Sequence, residues 1–404
     1  MDSIQSTFPI PVNPLVRRLE SIDILRGLLM ILMAVDHARD YFTSIAPSAV
    51  DPTDPLRSWP ALFATRWITH LCAPGFIALA GTSVYLQRHR GKSSGALAKL
   101  LFTRGLWLMF LEITVISFGW SFAFAPGLQV IWAVSVSMIF LAGLQRLSPV
   151  FIGIVGALIV LLHNLLDPIS AQSFGSAAIW WELLHQQGPI LIHGQLVGFV
   201  LYPLIPWIGV ICLGYAFGPV TVMEPGRRQR IAATLGAGLL CMFSVLRIFH
   251  LYGDPIPFQH LATSSQTIMS FLEVLKYPPS LHYLLATLGV NLLLYALFDA
   301  AATNNWARGL RRFVETYGRV PFFYYILHIY LLHAIALVLT AEQHRNWRFW
   351  LKPGSVFIGH LPGWGYGLPG VYLVWAIVVL TLYYPCVWFG RVKARRRDWW
   401  LSYL

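Results

Sequence analysis

Charge is the first thing this chain has little of. Only 11% of its 404 residues are Asp, Glu, Lys or Arg, less than half the roughly 25% of a soluble domain. Such a chain cannot cover itself with polar side chains in water, which excludes an ordinary soluble globule. Cysteine is also scarce. The four, Cys72, Cys212, Cys241 and Cys386, all fall in apolar stretches at no metal-like spacing and read as buried small hydrophobes. Gly-rich phosphate loops of the Walker type, His-Glu-x-x-His and Cys-x-x-Cys are absent. The histidines are scattered, apart from the five-apart His328 and His333, so no metal is expected. Internal repeats and low-complexity tracts are missing too.

What is present in excess is apolar length. The chain is 57% hydrophobic, with a mean hydropathy of +0.62. About 20 mainly apolar residues cross the hydrocarbon as a helix. Ten such runs lie near 20–42, 63–87, 100–122, 127–146, 149–167, 197–218, 229–251, 279–299, 318–340 and 370–390. Open strands are excluded from hydrocarbon because unpaired backbone groups are costly there. The expectation is an all-α polytopic membrane protein of about ten spans. It divides into a lead at 1–19 containing the proline-rich FPIPVNP, a transmembrane domain at 20–390, and a basic tail at 391–404. No cleavable leader is expected.

The net charge of +12 would suit nucleic acid, but its distribution argues against that partner. Arg17 and Arg18 precede the first run, and Arg88, Arg90, Lys92 and Lys99 fill the second-to-third connection. Arg227, Arg228 and Arg230 fill the sixth-to-seventh, and Arg308, Arg311 and Arg312 the eighth-to-ninth. Arg391, Lys393, Arg395, Arg396 and Arg397 follow the tenth. Connection 168–196 has neither Lys nor Arg. Every second connection is basic, which predicts that both termini are cytoplasmic; Arg345, Arg348 and Lys352 are the exception.

Ionisable groups within a membrane are functional candidates by default. At about 1.5 Å per residue, Asp36 and His37 lie roughly 24–26 Å up the first helix, near the outer boundary. Arg66 and His70 fall in the outer half of the second. His163, Asn164, His193, Gln195, Arg247, His250, His282 and His333 fall in the same layer, with Glu112, Asn291 and His328 nearer mid-depth. Adjacent helical residues point about 100° apart, so His37 is expected to take a carboxylate partner from another helix, freeing its second nitrogen to act as a general base. Arg39 and Asp40 read as snorkelling interface residues. At the inner end, Asp23 and Arg26 are spaced for an ion pair. Arg104 and Arg319 are placed similarly, and any of the three arginines would suit a phosphate. Gly27, Gly81 and FIALAGTS at 76–83 supply small residues for close helix approach.

Several blocks carry a resemblance. RLESIDILRGLLMILMAVDHARDYF, TRWITHLCAPGFIALAGTSVYL, WELLHQQGPI, YPLIPWIGVICLGYAFG, LYGDPIPF, EVLKYPPSLHYLLATLG and YGRVPFFYYILHIYLLHAIAL are similar, in order, to the heparan-alpha-glucosaminide N-acetyltransferase catalytic-domain family, and specifically to its bacterial branch. The resemblance implies a transmembrane acetyltransferase that uses cytoplasmic acetyl-CoA to acetylate an amino or hydroxyl group of a sugar on the far side. A pantetheine arm of roughly 20 Å would carry its acetyl group to or beyond mid-membrane, across about 30 Å of hydrocarbon. On this reading Arg26, Arg104 and Arg319 hold the nucleotide phosphates. The catalytic candidates, in order, are His70, His37 and His185, with Asp36 or Glu112 orienting the base. Arg66, Arg247, His282 and His333 are the acceptor-binding candidates. In the lysosomal members the position matching Asp36 is an asparagine, and the catalytic histidine lies about a dozen residues on, where this chain reads APSAVDPTDPLRSW and has none. The implied setting is the bacterial inner membrane, with lipid, acetyl-CoA and an extracytoplasmic glycan as partners and a homodimer admitted. A transporter is the competing reading, since helices such as YPLIPWIG suit alternating access, although transporters commonly carry an internal repeat. A third is the same fold moving a different acyl group.

Overall fold

A computed structural model describes residues 19–45, 50–192, 195–304, 306–359, 361–396, 398 and 401. The lead, Arg17, Arg18, His193 and Arg397 lie outside the described residues. In chain order the helices are α1 (Glu20–Phe42), α2 (Pro60–Thr69), α3 (Cys72–His89), α4 (Ser94–Leu111), α5 (Ser117–Ser121), α6 (Val130–Leu144), α7 (Pro149–Leu162), α8 (Ala178–Leu184) and α9 (Leu204–Thr221). They continue as α10 (Pro225–Ile248), α11 (Ser264–Leu272), α12 (Leu281–Thr303), α13 (Arg308–Arg319), α14 (Pro321–Glu342), α15 (Ser355–Ile358) and α16 (Leu368–Arg395). Each of the ten apolar runs contains helix. Among the described residues, eight helical segments are long and apolar enough to cross a membrane. The other two runs coincide with α1, which carries more charge, and with the shorter α6. The last helix runs on to Arg395, past the expected boundary at 390.

Two details differ from the expectation. The run from 197 begins as a strand: β1 (Gly127–Leu128) pairs in parallel with β3 (Gln195–Val200), which pairs antiparallel with β2 (Gly188–Ile192). The sheet satisfies this backbone through its own ladder, and α9 starts only at Leu204, after Pro203. The second span is broken between α2 and α3. Pro74 has no N–H to offer the carbonyl four residues back, and the carbonyl of His70 instead accepts from the Tyr283 hydroxyl at 2.8 Å. Cys72, Cys212 and Cys386 are buried as expected, whereas Cys241 is exposed on the outside of α10.

The helix α1 runs through the middle of the bundle and touches α2, α3, α12, α13, α14 and α16. Its contact with α13 is made by backbone. A Cβ on Gly27 would meet the carbonyl oxygen of Val314 at 2.0 Å, and one on Gly318 the oxygen of Asp23 at 1.8 Å. Ion pairs fasten the same end. Arg311 meets Glu20 at 2.7 Å. Asp299 of α12 accepts from Ser21 at 3.0 Å, Arg228 at 2.9 Å and Gln229 at 2.9 Å. These contacts predict that Gly318→Val lowers thermal stability in detergent by at least about 2 kcal/mol, the scale of overpacking. Gly238→Ala, where an added Cβ meets nothing within 4 Å, should leave the transition in place, and equal effects would refute the close-contact assignment.

Candidate active site

At the end of α1 away from the basic connections, a cavity of about 200 Å³ is lined by Asp36, His37, Arg39 and Asp40 of α1, Arg66 of α2, and Lys276 and Tyr277 of the segment before α12. One carboxylate organises it. Asp36 pairs with Arg66 through one oxygen, with Arg39 at 2.9 Å through the other, and has Lys276 at 4.0 Å. Arg39 also holds Asp40 at 2.8 Å. Arg39 is thus a buried bridge between two carboxylates, not the snorkelling residue expected.

The partner of His37 comes from another helix but is no carboxylate. His37 Nδ1 lies 2.7 Å from His328 Nε2 of α14, and His328 Nδ1 lies 3.0 Å from the carbonyl oxygen of Tyr324. A carbonyl can only accept, so the proton of neutral His328 is assigned to Nδ1. Its Nε2 then accepts from His37 Nδ1–H, which leaves His37 Nε2 with a lone pair. Trp120 packs edge-on against the His37 ring at 4.7 Å. Tautomer and orientation are therefore both fixed, which is what a general base requires.

A second cavity, of about 450 Å³, opens at the basic end. Arg26, Arg104, Arg319 and Lys393 line its mouth, and Met30, Leu108, Val134, Met138 and Phe322 its apolar depth. Arg26 is anchored at 3.1 Å to each of Asp23, the carbonyl of Gly318 and Ser83. Phe76 of α3, Val130 of α6 and Tyr325 of α14 belong to the walls of both cavities. These three residues form a collar between a cationic, apolar-bottomed slot and a polar chamber. Along α1 the step from Arg26 to His37 is eleven residues, about 16 Å.

A family model described as heparan-alpha-glucosaminide N-acetyltransferase, catalytic, matches residues 18–247, more than half the chain. The chain belongs to that family. It is accordingly a membrane acyltransferase. Comparison with curated proteins finds none that matches. The matched residues contribute Asp36, His37, Arg39 and Arg66 to the chamber of this acyltransferase, while Lys276, Tyr277 and Tyr325 of its wall, and His328 behind His37, come from beyond them.

The remaining candidates lie apart. His70 is buried beside the chamber, between Thr69 and Cys72 of its wall, but lines neither cavity; its ring packs 5.4 Å from Tyr283. Glu112 sits in a π-helical turn between α4 and α5 and accepts from the backbone N–H of Gln129 at 2.8 Å. Neither Glu112 nor Asp36 bonds His37. His185 is held by Asp167 at 2.9 Å under Trp181, on the excursion between α7 and α9. His333 pairs with the carbonyl of Gly119 at 3.0 Å, and His282 packs on Phe243. Arg247 bonds the backbone carbonyls of Phe271 at 3.0 Å and Ser270 at 2.7 Å, and also those of Ile256 and Glu273. It pins the segment that carries Lys276, together with Asp254, which accepts from Leu275 N–H at 3.1 Å and from Ser280.

The chamber residues that sequence reasoning passed over are Lys276 and Tyr277. Their signal is the lysine in EVLKYPP, a cation placed where the chain is neither span nor basic connection. Two measurements follow. Arg247→Met should lose about 3 kcal/mol or more of stability, because four carbonyls lose a charged donor in a buried place; a loss below about 1 kcal/mol would remove its pinning role. Burial pushes the carboxyl of Glu273 up to about 7, against the pull of Arg247, from an ordinary 4.5. The unfolded chain therefore releases this proton first, so the stability tied to it is present below about 4.5 and lost as pH rises through about 7. Glu273→Gln should raise the melting temperature at pH 8 and leave it unmoved at pH 4; a pH-independent effect would refute the burial cause.

Proposed function

We propose that the protein moves the acetyl group of acetyl-CoA, bound at the arginine-lined cavity, to a sugar amino or hydroxyl group held in the His37 chamber. The observation that carries this reading is the collar: a cation-mouthed slot and a chamber with a fixed imidazole meet wall to wall at Phe76, Val130 and Tyr325. Arg26, Arg104, Arg319 and Lys393 hold the nucleotide phosphates by charge-assisted bonds, and the pantetheine arm lies along the apolar depth. The thioester carbonyl reaches the collar. His37 Nε2 takes the proton of the acceptor as its oxygen or nitrogen attacks the carbonyl carbon. The C–S bond then breaks, and the proton passes from His37 to the leaving sulfur. Lys276 and Arg66 stand where positive charge offsets the oxyanion that forms on the carbonyl. His37 replaces His70 at the head of the catalytic candidates because it alone of the two lines the chamber. The working unit is residues 20–390, oriented with the basic connections and both termini in the cytoplasm of a bacterial inner membrane and the acceptor outside.

Substituting His37→Gln should lower acetyl transfer or acetyl-CoA hydrolysis by about 10²- to 10⁴-fold and leave acetyl-CoA affinity intact. Turnover at the wild-type rate would remove His37 from the chemistry. Arg104→Ala should weaken acetyl-CoA binding by about ten-fold at low salt and less as salt is raised; unchanged affinity at every ionic strength would detach the cavity from CoA. A transporter would neither bind nor cleave acetyl-CoA in detergent, and that outcome would favour the competing reading.

A further inference from the structure

The charges around the chamber do not cancel. Arg39, Arg66 and Lys276 line it against Asp36 and Asp40, so three cations face two carboxylates. Both carboxylates are already engaged: Asp36 by Arg66 and Arg39, Asp40 by Arg39. Two cationic donors are left over. Lys276 is 8% exposed, and its nearest carboxylate oxygen among the described residues is 4.0 Å away, beyond hydrogen-bond reach. Arg39 is equally buried, and its Nη1 has no hydrogen-bond partner among the described residues. The rest of the wall, with His37, Tyr202, Tyr277 and Gln129 among its polar groups, adds no further carboxylate among the described residues. Burial acts to raise the Tyr277 phenol, yet the Lys276 ammonium and Arg66 guanidinium hold it below its ordinary value, as a positive potential would.

Resting on the transfer reading above, we infer that the acceptor is an anionic sugar, bearing a carboxylate or a phosphate ester that Lys276 and Arg39 grip, and that it is acetylated on a hydroxyl rather than on an amine. A cationic chamber of low dielectric repels a protonated amino sugar and leaves a neutral hydroxyl unopposed. An anion on the same sugar fills the charge deficit and turns one hydroxyl towards His37 Nε2. In the balanced step the hydroxyl proton goes to Nε2, the oxygen–acetyl bond forms as the C–S bond breaks, and the proton ends on the thiol. Asp254 and Arg247 act here only by holding the segment that presents Lys276.

The test is equilibrium binding of four probes to the full chain in detergent: glucuronate, glucose 6-phosphate, glucose and glucosamine, with acetyl-CoA titrated on the same samples. At least one of the two anions should bind about ten-fold or more tightly than glucose, a gap that shrinks with added salt, and glucosamine should bind more weakly than glucose. Which anion is preferred tells a carboxylate from a phosphate acceptor. Lys276→Met should bring the preferred anion down to the affinity of glucose, and Lys276→Arg should retain the preference. Asp40→Asn, which removes a negative charge from the wall, should tighten the anion, so the inference stays exposed even where Lys276→Met fails to fold. Glucosamine binding as tightly as the anions, neither anion binding up to about 10 mM, or an anion preference untouched by Lys276→Met would overturn it. Any of these results with acetyl-CoA affinity intact sinks the acceptor assignment alone. Loss of acetyl-CoA binding by the unaltered protein would sink the transfer reading instead.

Discussion

The hydrogen bond between His37 and His328 is the interaction on which the proposed chemistry turns. It joins α1 to α14 across 291 residues of sequence, and the Tyr324 carbonyl at its far end fixes the direction of every proton in the chain of bonds. A backbone carbonyl cannot change its role from acceptor to donor. The tautomer of His328 follows from it, and that of His37 from His328. A catalytic carboxylate in the same place would have added negative charge to the chamber and strengthened the imidazolium. In the proposed transfer, a neutral partner orients the base without holding on to the proton that it would return to the leaving sulfur.

The bundle makes that bond possible by fixing α1 at its other end. Backbone contact at Gly27 and Gly318 brings α1 within van der Waals distance of α13, and the ion pair of Glu20 with Arg311 and the hydrogen bond of Ser21 to Asp299 lock its first turn. Arg26 then faces one cavity and His37, about 16 Å along the same helix, faces the other. One rigid element thus sets the distance between the arginine and the imidazole to which the proposed transfer gives phosphate binding and proton abstraction. A slide of α1 by one turn would move both together and break the glycine contact, so the spacing is insensitive to small rearrangements elsewhere.

The architecture was legible in the sequence because the bilayer imposes a length on every span and excludes unpaired backbone. Each of the ten runs therefore contains helix, and the layering of Asp36, His37 and Arg66 survives in three dimensions. What the sequence hid are relations across the bundle. The partner of His37 was expected to be acidic because an isolated imidazole says nothing of a second imidazole on α14. His70 looked better placed than His37 on depth alone, but the break forced by Pro74 puts its carbonyl on Tyr283 and keeps its ring out of both cavities. Arg39 passed for an interface residue because its two carboxylates are one and three residues away, a spacing equally common on solvated helix ends. The strand at 195–200 was absorbed into an apolar run, since hydropathy does not separate a short apolar strand from the start of a helix.

The collar also bears on the choice between enzyme and transporter. A through-path wide enough for a sugar would leak protons and solutes across the membrane, whereas the two cavities here meet at the apolar and phenolic walls of Phe76, Val130 and Tyr325. Apolar walls of this kind suit an extended thioester arm better than a hydrated sugar, whose polar groups they leave unpaired. Alternating access would need one half of the bundle to rock against the other. Here the contacts that rocking must break include the backbone approach at Gly81, where a Cβ would meet the Ile211 carbonyl oxygen at 2.1 Å, and that at Gly318. Contacts so close forfeit their packing within a displacement of about an ångström. A static slot with a chemical group passed along it suits this bundle better than a moving gate.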